Sequence, residues 1–221
     1  MQISSAREAL QHAAMHEQKG LPASASTILT IEMVKLQSAY KHFTGQPNRN
    51  MRILEDVLQK CQDRESNCRA NARRQMQTYG LLYKQGHFRK NWQTRLFILS
   101  GGQLKYYVPG DTEAKGTIYL HQITSVQAVA VSQHGFKIET SGGKIYMCQA
   151  PDAGSLEAWV NALRPLKVGF MMKQGHQVGQ WKKRWCMLWR TQLAFFESQT
   201  DNKDRKVRAP QTPRFRPTCT H

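Results

Sequence analysis

The residues best suited to chemistry in this sequence are cations placed around a predicted pair of antiparallel strands. If the loop between these strands is centred between residues 85 and 94, Lys84 and Arg95 lie directly opposite each other at its mouth. Like charges that face each other across a sheet are destabilising, so an anion bound between them would relieve the repulsion. Two loop cations and a phenol on the third predicted strand add donors: Arg89, Lys90 and Tyr106. The spacing therefore predicts an anion-binding site at the mouth of this hairpin.

The same pattern recurs 89 residues later in the chain. The aligned positions keep one register without a gap: Gly80/Gly169, Lys84/Lys173, Trp92/Trp181, Arg95/Arg184, Leu99/Leu188, Leu104/Leu193 and Tyr107/Phe196. Self-similarity at a fixed offset is the signature of a repeated structural unit. The sequence therefore predicts that one unit has been duplicated.

The elements that position these residues follow from short apolar runs and turn signals. Residues 96–99 form a β-favouring run, and the turn at 100–103 contains two glycines and leads into a third strand over 104–108. Later the apolar period changes, and residues 155–163 show helical spacing with Ser155 as N-cap and Pro165 just past the end.

This arrangement resembles the pleckstrin homology (PH) domain, a partly open seven-stranded barrel closed at one end by a carboxy-terminal helix. The resemblance covers residues 79–166, and Trp159 matches the tryptophan of the family's helix. The remaining strand-like runs lie at residues 116–120, 126–131, 135–140 and 144–148. The fold expected is α+β: a helical hairpin, a PH barrel capped by its helix, and an incomplete second PH unit of about three strands.

The resemblance also implies a ligand site, similar to that of phosphoinositide-binding members such as the cytohesins. Lys84, Arg95 and Tyr106 fall on the headgroup-binding positions of those members, and Lys115 matches a further basic position. Gln93 stands where they carry another basic residue, which leaves one fewer charge for the phosphates.

The second copy carries a related but different set of residues. Lys173, Lys182 and Arg184 are all basic, whereas Phe195 replaces the tyrosine and lacks its hydroxyl. The resemblance implies a second headgroup site at these residues. Neither copy holds the complete set of binding residues, because the first has Gln93 at a basic position and the second has Phe195 in place of the tyrosine.

The second unit is expected to span residues 167–198, because the basic tail 199–221 cannot supply the missing strands and helix. Three strands are marginal alone, and four aromatic side chains would lack packing partners: Trp181, Trp185, Phe195 and Phe196. Two hypotheses follow. Either the chain is a fragment or a truncated gene product, or this half-domain packs on the first unit. The tail itself is predicted to be disordered.

Residues 24–78 are predicted to form an antiparallel helical hairpin or coiled region. Apolar residues recur at helical spacing on both sides of a break at residues 45–48: Leu29, Met33, Leu36, Tyr40 and Phe43, then Met51, Leu54, Leu58 and Cys61. This pair either packs on the PH unit or self-associates, or it ends a longer coiled coil or membrane-curving domain. Residues 1–23 are expected to be a weak helix or disordered, with Ser5 and Glu8 as a capping box and Gly20–Pro22 as its stop.

The net charge of +17 limits the choice of partners. Residues 167–198 carry six basic residues against one acidic, and residues 199–221 carry six against two. This excess suits an anionic membrane surface containing phosphoinositides. Nucleic acid is not the predicted partner because no recognisable reading motif is present.

Cysteine usage and targeting signals bear on location. The five cysteines are scattered without metal-like pairs, which indicates reduced thiols in the cytosol: Cys61, Cys68, Cys148, Cys186 and Cys219. No signal peptide, bilayer-spanning run, amino-terminal Met-Gly or prenylation box is found. The expected location is cytoplasmic, with peripheral recruitment to a membrane, the plasma membrane first.

No catalytic motif, metal site or cofactor site is predicted. His12 and His16 have a spacing that suits a metal but lack a third ligand nearby. Three hypotheses on function remain: a non-catalytic phosphoinositide-binding adaptor, a PH-fold scaffold for a protein such as a small GTPase, or the targeting part of a larger GTPase regulator.

Overall fold

The computed structural model describes residues 2–41, 49–75, 77–87, 89–130, 133–174, 180–189, 193–197 and 207–208. Two compact units are present. One consists of Met1–Ser100 and Leu104–Thr117, and the other of Gly101–Gln103 and Ile118–His221. The fold is α+β, as the sequence predicts.

Three helices open the chain: α1 Gln2–Gln18, α2 Pro22–Lys41 and α3 Arg49–Arg74. Helix α1 ends in a Schellman motif, because Gly20 has a φ of 71° and the Gly20 and Leu21 amides donate to the carbonyls of Glu17 and His16. The capping box predicted at Ser5 is wrong, because the helix begins at Gln2 and Ser5 therefore lies inside it.

Helices α2 and α3 run antiparallel. The Tyr40 hydroxyl donates to Glu55 at 3.0 Å near one end of the pair, and the Ser26 hydroxyl donates to Glu65 at 2.8 Å near the other. Helix α1 packs against both, and Arg64 of α3 bonds Glu17 of α1. Their shared core consists of small and aliphatic side chains: Ala6, Ala13, Ala25, Leu29, Leu36, Leu54, Val57, Cys61 and Cys68. The predicted break at residues 45–48, like Phe43, lies outside the described residues.

Seven strands form one antiparallel sheet in the order β4-β3-β2-β1-β7-β6-β5. Their bounds are β1 Thr78–Gln85, β2 Trp92–Ser100, β3 Gln103–Tyr107, β4 Ala114–Tyr119, β5 Ile123–Val129, β6 Gly135–Thr140 and β7 Ile145–Gln149. A short 3-10 helix, Leu120–Gln122, follows β4. The β2–β3 turn is made by Gly101 and Gly102, which both have positive φ, as a tight hairpin turn requires.

The helices cover one face of β1 to β3, here called the outer face. Ala23 of α2 and Ala72 of α3 pack in one buried cluster with Leu96, Ile98 and Tyr107. Small alanine side chains let the helix backbones approach the sheet closely. Among the alternatives open from the sequence, the structure shows the helical pair packed on the PH strands.

Helix α4, Ala153–Leu163, follows the sheet and packs on β5 and β6. Its N-cap is Asp152, which accepts a hydrogen bond from the Ser155 amide at 2.7 Å. The prediction that Ser155 is the N-cap is therefore wrong by three residues, because the backbone is extended at Asp152 and Ser155 already lies inside the helix. Ser155 instead donates its hydroxyl to the cap at 2.7 Å. Trp159 is buried, as a core-facing helix residue should be.

A second, smaller sheet follows α4 in the order β11-β10-β9-β8. Its strands are β8 Lys167–Gln174, β9 Trp181–Leu188, β10 Leu193–Phe196 and the two-residue β11 Val207–Arg208. The first three correspond to the partial second unit predicted from the repeat. Of the tail 199–221, Val207 and Arg208 pair with β10, and the rest lies outside the described residues.

Trp189, which follows β9, connects the second sheet to helix α4 through a hydrogen bond. Its indole is 2% exposed and donates a hydrogen bond to the Leu163 carbonyl at 3.1 Å. The Leu166 amide also donates to the Leu188 carbonyl. The aromatic residues predicted to lack partners behave differently from one another, since Trp181 is 58% exposed while Phe196 is buried.

Among the described helices, none combines the length and the apolar character that a bilayer crossing requires.

Candidate functional site

The β1–β2 hairpin places the predicted cations on one face of the sheet. Lys84 pairs with Gln93, and Arg95 pairs with Leu82. The predicted direct pairing of Lys84 with Arg95 is therefore wrong by two residues, because the loop closes nearer to Lys84 than its assumed centre. A shift of two residues preserves the face, since side chains alternate with a period of two. Lys84 and Arg95 are thus diagonal neighbours.

Lys84 is held by the aromatic ring of Tyr106. Its ammonium nitrogen lies 5.0 Å from the ring centre and donates to the Gln85 carbonyl at 3.2 Å. The residue is only 7% exposed, which is uncommon for lysine. The orientation of a cation at this depth is set by its surroundings, here the Tyr106 ring and the Gln85 carbonyl.

Gln93 positions the guanidinium of Arg95. One nitrogen of Arg95 donates to the Thr94 carbonyl at 2.8 Å, and another donates to the side-chain oxygen of Gln93. Gln93 also faces Lys84 across the ladder. In the sequence, Gln93 is recognisable only as the position where a basic residue is absent. The structure places it directly opposite Lys84 and in a hydrogen bond with Arg95, a position that follows from the observed register and not from the predicted one.

Tyr106 is fixed by a glycine that sequence reasoning did not single out for this role. A Cβ added to Gly116 would overlap the Tyr106 phenol, approaching the ring carbon Cε1 at 2.8 Å. Tyr106 is 9% exposed, and its ring centre lies 5.6 Å from that of Phe97. Gly116 therefore leaves the space in which the ring that supports Lys84 is seated.

Two of the residues predicted to bind the headgroup lie in the loop between β1 and β2. The loop is closed by the Gly86 amide, which donates to the Asn91 carbonyl at 2.8 Å. Arg89 and Lys90 are exposed within it, and Lys90 has a φ of 54°. This left-handed conformation is unfavourable for a residue other than glycine and fixes the direction in which Lys90 leaves the chain.

Lys115 is exposed on β4 and forms an ion pair with Asp111 at 3.1 Å. The pair lies next to Gly116, the residue that contacts Tyr106. An anion at the site would compete with Asp111 for this lysine. The structure thus brings Lys84, Arg95 and Tyr106 together, leaves Arg89 and Lys90 on the loop, and gives Lys115 an acidic partner.

The second hairpin repeats this geometry with different side chains. Lys173 lies 5.6 Å from the centre of the Phe195 ring, which corresponds to Lys84 over Tyr106. Lys173 pairs directly with Lys182, the residue that replaces Gln93. Two like charges face each other here, which is the arrangement that an anion would relieve.

Arg184 completes the second set with a weaker arrangement. It pairs with Met171, donates to the Lys183 carbonyl at 3.3 Å and lies 4.0 Å from a Glu197 carboxylate oxygen. Arg95 likewise donates to the carbonyl of the preceding residue. The repeat therefore conserves backbone register and cation placement, although Glu197 brings an acidic group to the second site.

The four described cysteines, Cys61, Cys68, Cys148 and Cys186, are buried and form no disulfide with one another. Burial raises the pKa of the Cys68 thiol to about 12, and burial also raises the pKa values of Cys61 and Cys186. Such thiols remain protonated near neutral pH and act as core side chains. Within the described residues, no group of three or more His, Cys, Asp or Glu could hold a metal ion. His16 instead donates to the Gly110 carbonyl at 3.0 Å.

The comparison with known families rests on the same two segments. The family model described as PH domain matches residues 76–168 and a second stretch at 165–212. The chain belongs to the PH domain family. The first PH match contains the sheet that carries Lys84, Arg95 and Tyr106. The second contains the three strands β8 to β10, with Lys173 on β8. A PH domain is a non-catalytic module.

Similar proteins share this PH region and only part of their length. Rho GTPase-activating protein 24 of Mus musculus is 32% identical over 98 residues, covering 38% of this chain and 13% of that protein. Pleckstrin of Rattus norvegicus is 36% identical over 95 residues, covering 38% of this chain and 27% of that protein. The chain thus matches about an eighth and about a quarter of these two proteins, respectively.

A similar solved structure is the carboxy-terminal PH domain of pleckstrin in complex with D-myo-Ins(1,2,3,5,6)P5. It is 36% identical, covers 39% of this chain and 89% of its own, and has a TM-score of 0.37.

Proposed function

We propose that this chain is a non-catalytic, phosphoinositide-binding adaptor in signalling or trafficking, which binds an anionic headgroup at the mouth of the β1–β2 hairpin. The observation that carries the proposal is a pair of cations on one sheet face, of which Lys84 is buried and Arg95 is partly buried. Lys84 is held over Tyr106, and Arg95 lies on the same sheet face with Gln93 between them. Arg89 and Lys90 add exposed charge at the loop.

The charge of the site alone is not enough for membrane binding. A basic residue close to an anionic leaflet contributes about 1 kcal/mol. Four such residues give about 4 kcal/mol, which corresponds to a dissociation constant near the millimolar range. Charge-assisted hydrogen bonds add about 1.5–3 kcal/mol each when they are well formed. Binding therefore depends on direct phosphate contacts from oriented groups such as Lys84 and Arg95.

The second hairpin supplies a further anion site within the same proposal. Lys173 and Lys182 face each other directly, and Arg184 lies on the same face of the sheet. A phosphate between the lysines would relieve their repulsion. Two sites on one chain that bind the same membrane increase the overall affinity through effective concentration.

The location follows from this mode of binding. The adaptor is cytoplasmic and is recruited peripherally, most simply to the plasma membrane, where its partners are anionic phosphoinositides. The helices α2 and α3, which pack on the outer face of β1 to β3, and α1, which packs on both of them, are carried to the membrane with the PH strands. They offer a surface for a protein partner or for self-association through residues 24–78. No cofactor is involved.

The test compares vesicles that differ in headgroup but not in total charge. The full chain is mixed at about 0.15 M salt with vesicles that contain a single phosphoinositide, or with phosphatidylserine vesicles adjusted to equal negative charge. Preference for one phosphoinositide supports the proposal. Equal binding to all vesicles of equal charge contradicts it and favours a PH-fold scaffold that binds another protein.

A second candidate function is the targeting part of a larger GTPase-regulating protein. It is favoured by the similarity to Rho GTPase-activating protein 24, of which the matched region is 13%. Sequencing of full-length transcripts tests it directly. A reading frame that extends on either side into a GTPase-regulating domain supports this candidate, and full reading frames without such a domain in every transcript remove it.

A further inference from the structure

A cavity of about 340 Å³ lies between α1, α2 and the outer face of β2, away from the proposed headgroup site. Its walls are mainly apolar and come from all three elements and the segment after β3: Ala9, Ile28, Ile31, Leu96 and Pro109. A volume of this size falls within the range of small-molecule sites in proteins. The cavity can therefore hold the apolar body of a small ligand.

Ser24 contributes a polar group at one end of the cavity. Its hydroxyl is fully buried and has no hydrogen-bond partner among the described residues. Thr27 and Thr30 of the same helix behave differently, because their hydroxyls donate to the carbonyls of Ala23 and Ser26 at 2.9 Å. A buried hydroxyl without a partner is costly, and a ligand that bonds to it would remove that cost.

Glu32 contributes a buried carboxylate at the other end. Only 6% of its side chain is exposed, whereas 59% of the side chain of its ion-pair partner Lys35 is exposed. The cation of this pair thus faces solvent while the anion faces the protein. A buried carboxylate is stabilised by further donors.

The lining charge favours a cationic ligand. The formal charges at the cavity are those of Glu8, Glu32 and Lys35, so the net charge is negative when His12 is neutral. The chain as a whole carries +17, which makes this cavity an anionic site on a strongly cationic protein. An organic cation therefore complements it, whereas a phosphate headgroup does not.

The geometry points to an elongated amphipathic ligand with an ammonium group at one end. We infer that the cavity binds such a ligand, with the ammonium at Glu32, the apolar body along Ile28 and Ile31, and a hydroxyl at Ser24. Glu32 lies eight positions after Ser24 in the helix, a span of about 12 Å. An amino alcohol with a six-carbon chain reaches between the two side chains. This inference does not depend on the proposed headgroup site.

Three matched probes test the inference on the full chain. Aminohexanol, hexanediol and hydroxyhexanoate each contain six carbons and a hydroxyl at one end, and the other end is an ammonium, a second hydroxyl or a carboxylate, respectively. Binding is followed by NMR through the methyl signals of Ile28, Ile31 and Leu96. We expect saturable shifts with aminohexanol, affinity at least about tenfold above that of hexanediol, and the weakest binding for hydroxyhexanoate.

Two carboxylate variants locate the cation. Glu32→Gln should abolish the preference for aminohexanol over hexanediol. Glu65→Gln is the matched control, because Glu65 is also a buried helical carboxylate with a basic neighbour but does not line the cavity. It should keep the preference.

Three results would overturn the inference: equal affinity for the three probes, shifts that do not saturate, or a preference that survives Glu32→Gln. If the Glu32 variant does not fold, the probe comparison on the unaltered chain decides alone.

Discussion

The ammonium of Lys84 lies 5.0 Å from the centre of the Tyr106 ring, and this contact is repeated in the second unit by Lys173, 5.6 Å from the Phe195 ring. Phenylalanine has no hydroxyl, so the feature common to both units is the aromatic face. A cation over such a face gains about 0.5–2 kcal/mol, depending on its exposure. The ring therefore has a supporting role that is independent of its phenol.

Replacement of Tyr106 separates the ring from the hydroxyl. Tyr106→Phe should keep affinity for a soluble inositol phosphate within about threefold, because the cation–π contact remains. Tyr106→Leu should weaken binding by about tenfold, since Lys84 loses its support. Calorimetric titration with inositol hexakisphosphate measures both. Equal losses in the two variants would mean that the hydroxyl is the group that matters.

Gly116 should tolerate no side chain because the Tyr106 ring occupies the space that a Cβ needs. We expect Gly116→Ala to lower the free energy of unfolding by about 1–3 kcal/mol through overpacking, and to weaken anion binding. Urea unfolding measures the first effect. Gly142→Ala is the control, since a Cβ there meets no atom within 4 Å. Similar stability of the two variants would show that Tyr106 moves aside easily.

Gln93→Lys would give the first hairpin the direct lysine pairing that Lys173 and Lys182 have in the second. Without ligand we expect the melting temperature to fall at low salt, because two ammonium groups then face each other. With inositol hexakisphosphate the variant should be stabilised more than the unaltered chain. Thermal melts at two salt concentrations, with and without ligand, check this. A ligand-induced gain no larger than that of the unaltered chain would place the anion elsewhere.

The sequence identified the correct strands and face because alternation is a strong local signal, yet it gave the wrong partner for Lys84. Register depends on loop closure, and the bond between Gly86 and Asn91 is not visible in a hydrophobic pattern. The predicted N-cap of α4 is wrong for a similar reason. Asp152 and Ser155 are both good N-cap residues, and only the backbone conformation decides between them.

The sequence pattern alone leaves several alternatives for what the helical pair packs against. Alanines such as Ala23 and Ala72 carry little periodic signal, although their small size is what allows helix and sheet to meet. The role of Gly116 was hidden too, because the need for it comes from Tyr106, ten residues earlier in the chain.

His16 links folding stability to pH. Burial lowers the pKa of His16 from its ordinary value of 6.5, an effect partly offset by the hydrogen bond to the Gly110 carbonyl. The folded chain therefore favours the neutral ring. Its contribution to stability is complete above the unfolded value of about 6.5, and is lost as pH falls from there through the lower folded pKa.

Urea unfolding at about pH 7.5 and 5.5 should show this loss, and His16→Gln should reduce the difference between the two pH values. The exposed neighbour His12 gives a comparison, since its charge lowers the pKa of His16 less than burial does, and His12→Gln should therefore reduce the difference less than His16→Gln. An unchanged difference in His16→Gln would assign the pH dependence to other groups.

The central claim is that an anionic headgroup binds at Lys84 and Arg95 rather than to the general positive charge. The most direct test is vesicle binding of the full chain carrying Lys84→Ala and Arg95→Ala, beside a control carrying Lys105→Ala and Lys144→Ala. The control removes the same charge, and Lys144 likewise lies over an aromatic ring, 5.1 Å from the centre of Tyr146. We predict that the affinity for phosphoinositide vesicles falls by at least about tenfold in the first variant and stays within about twofold of the unaltered chain in the control. Equal losses in both variants would contradict the account.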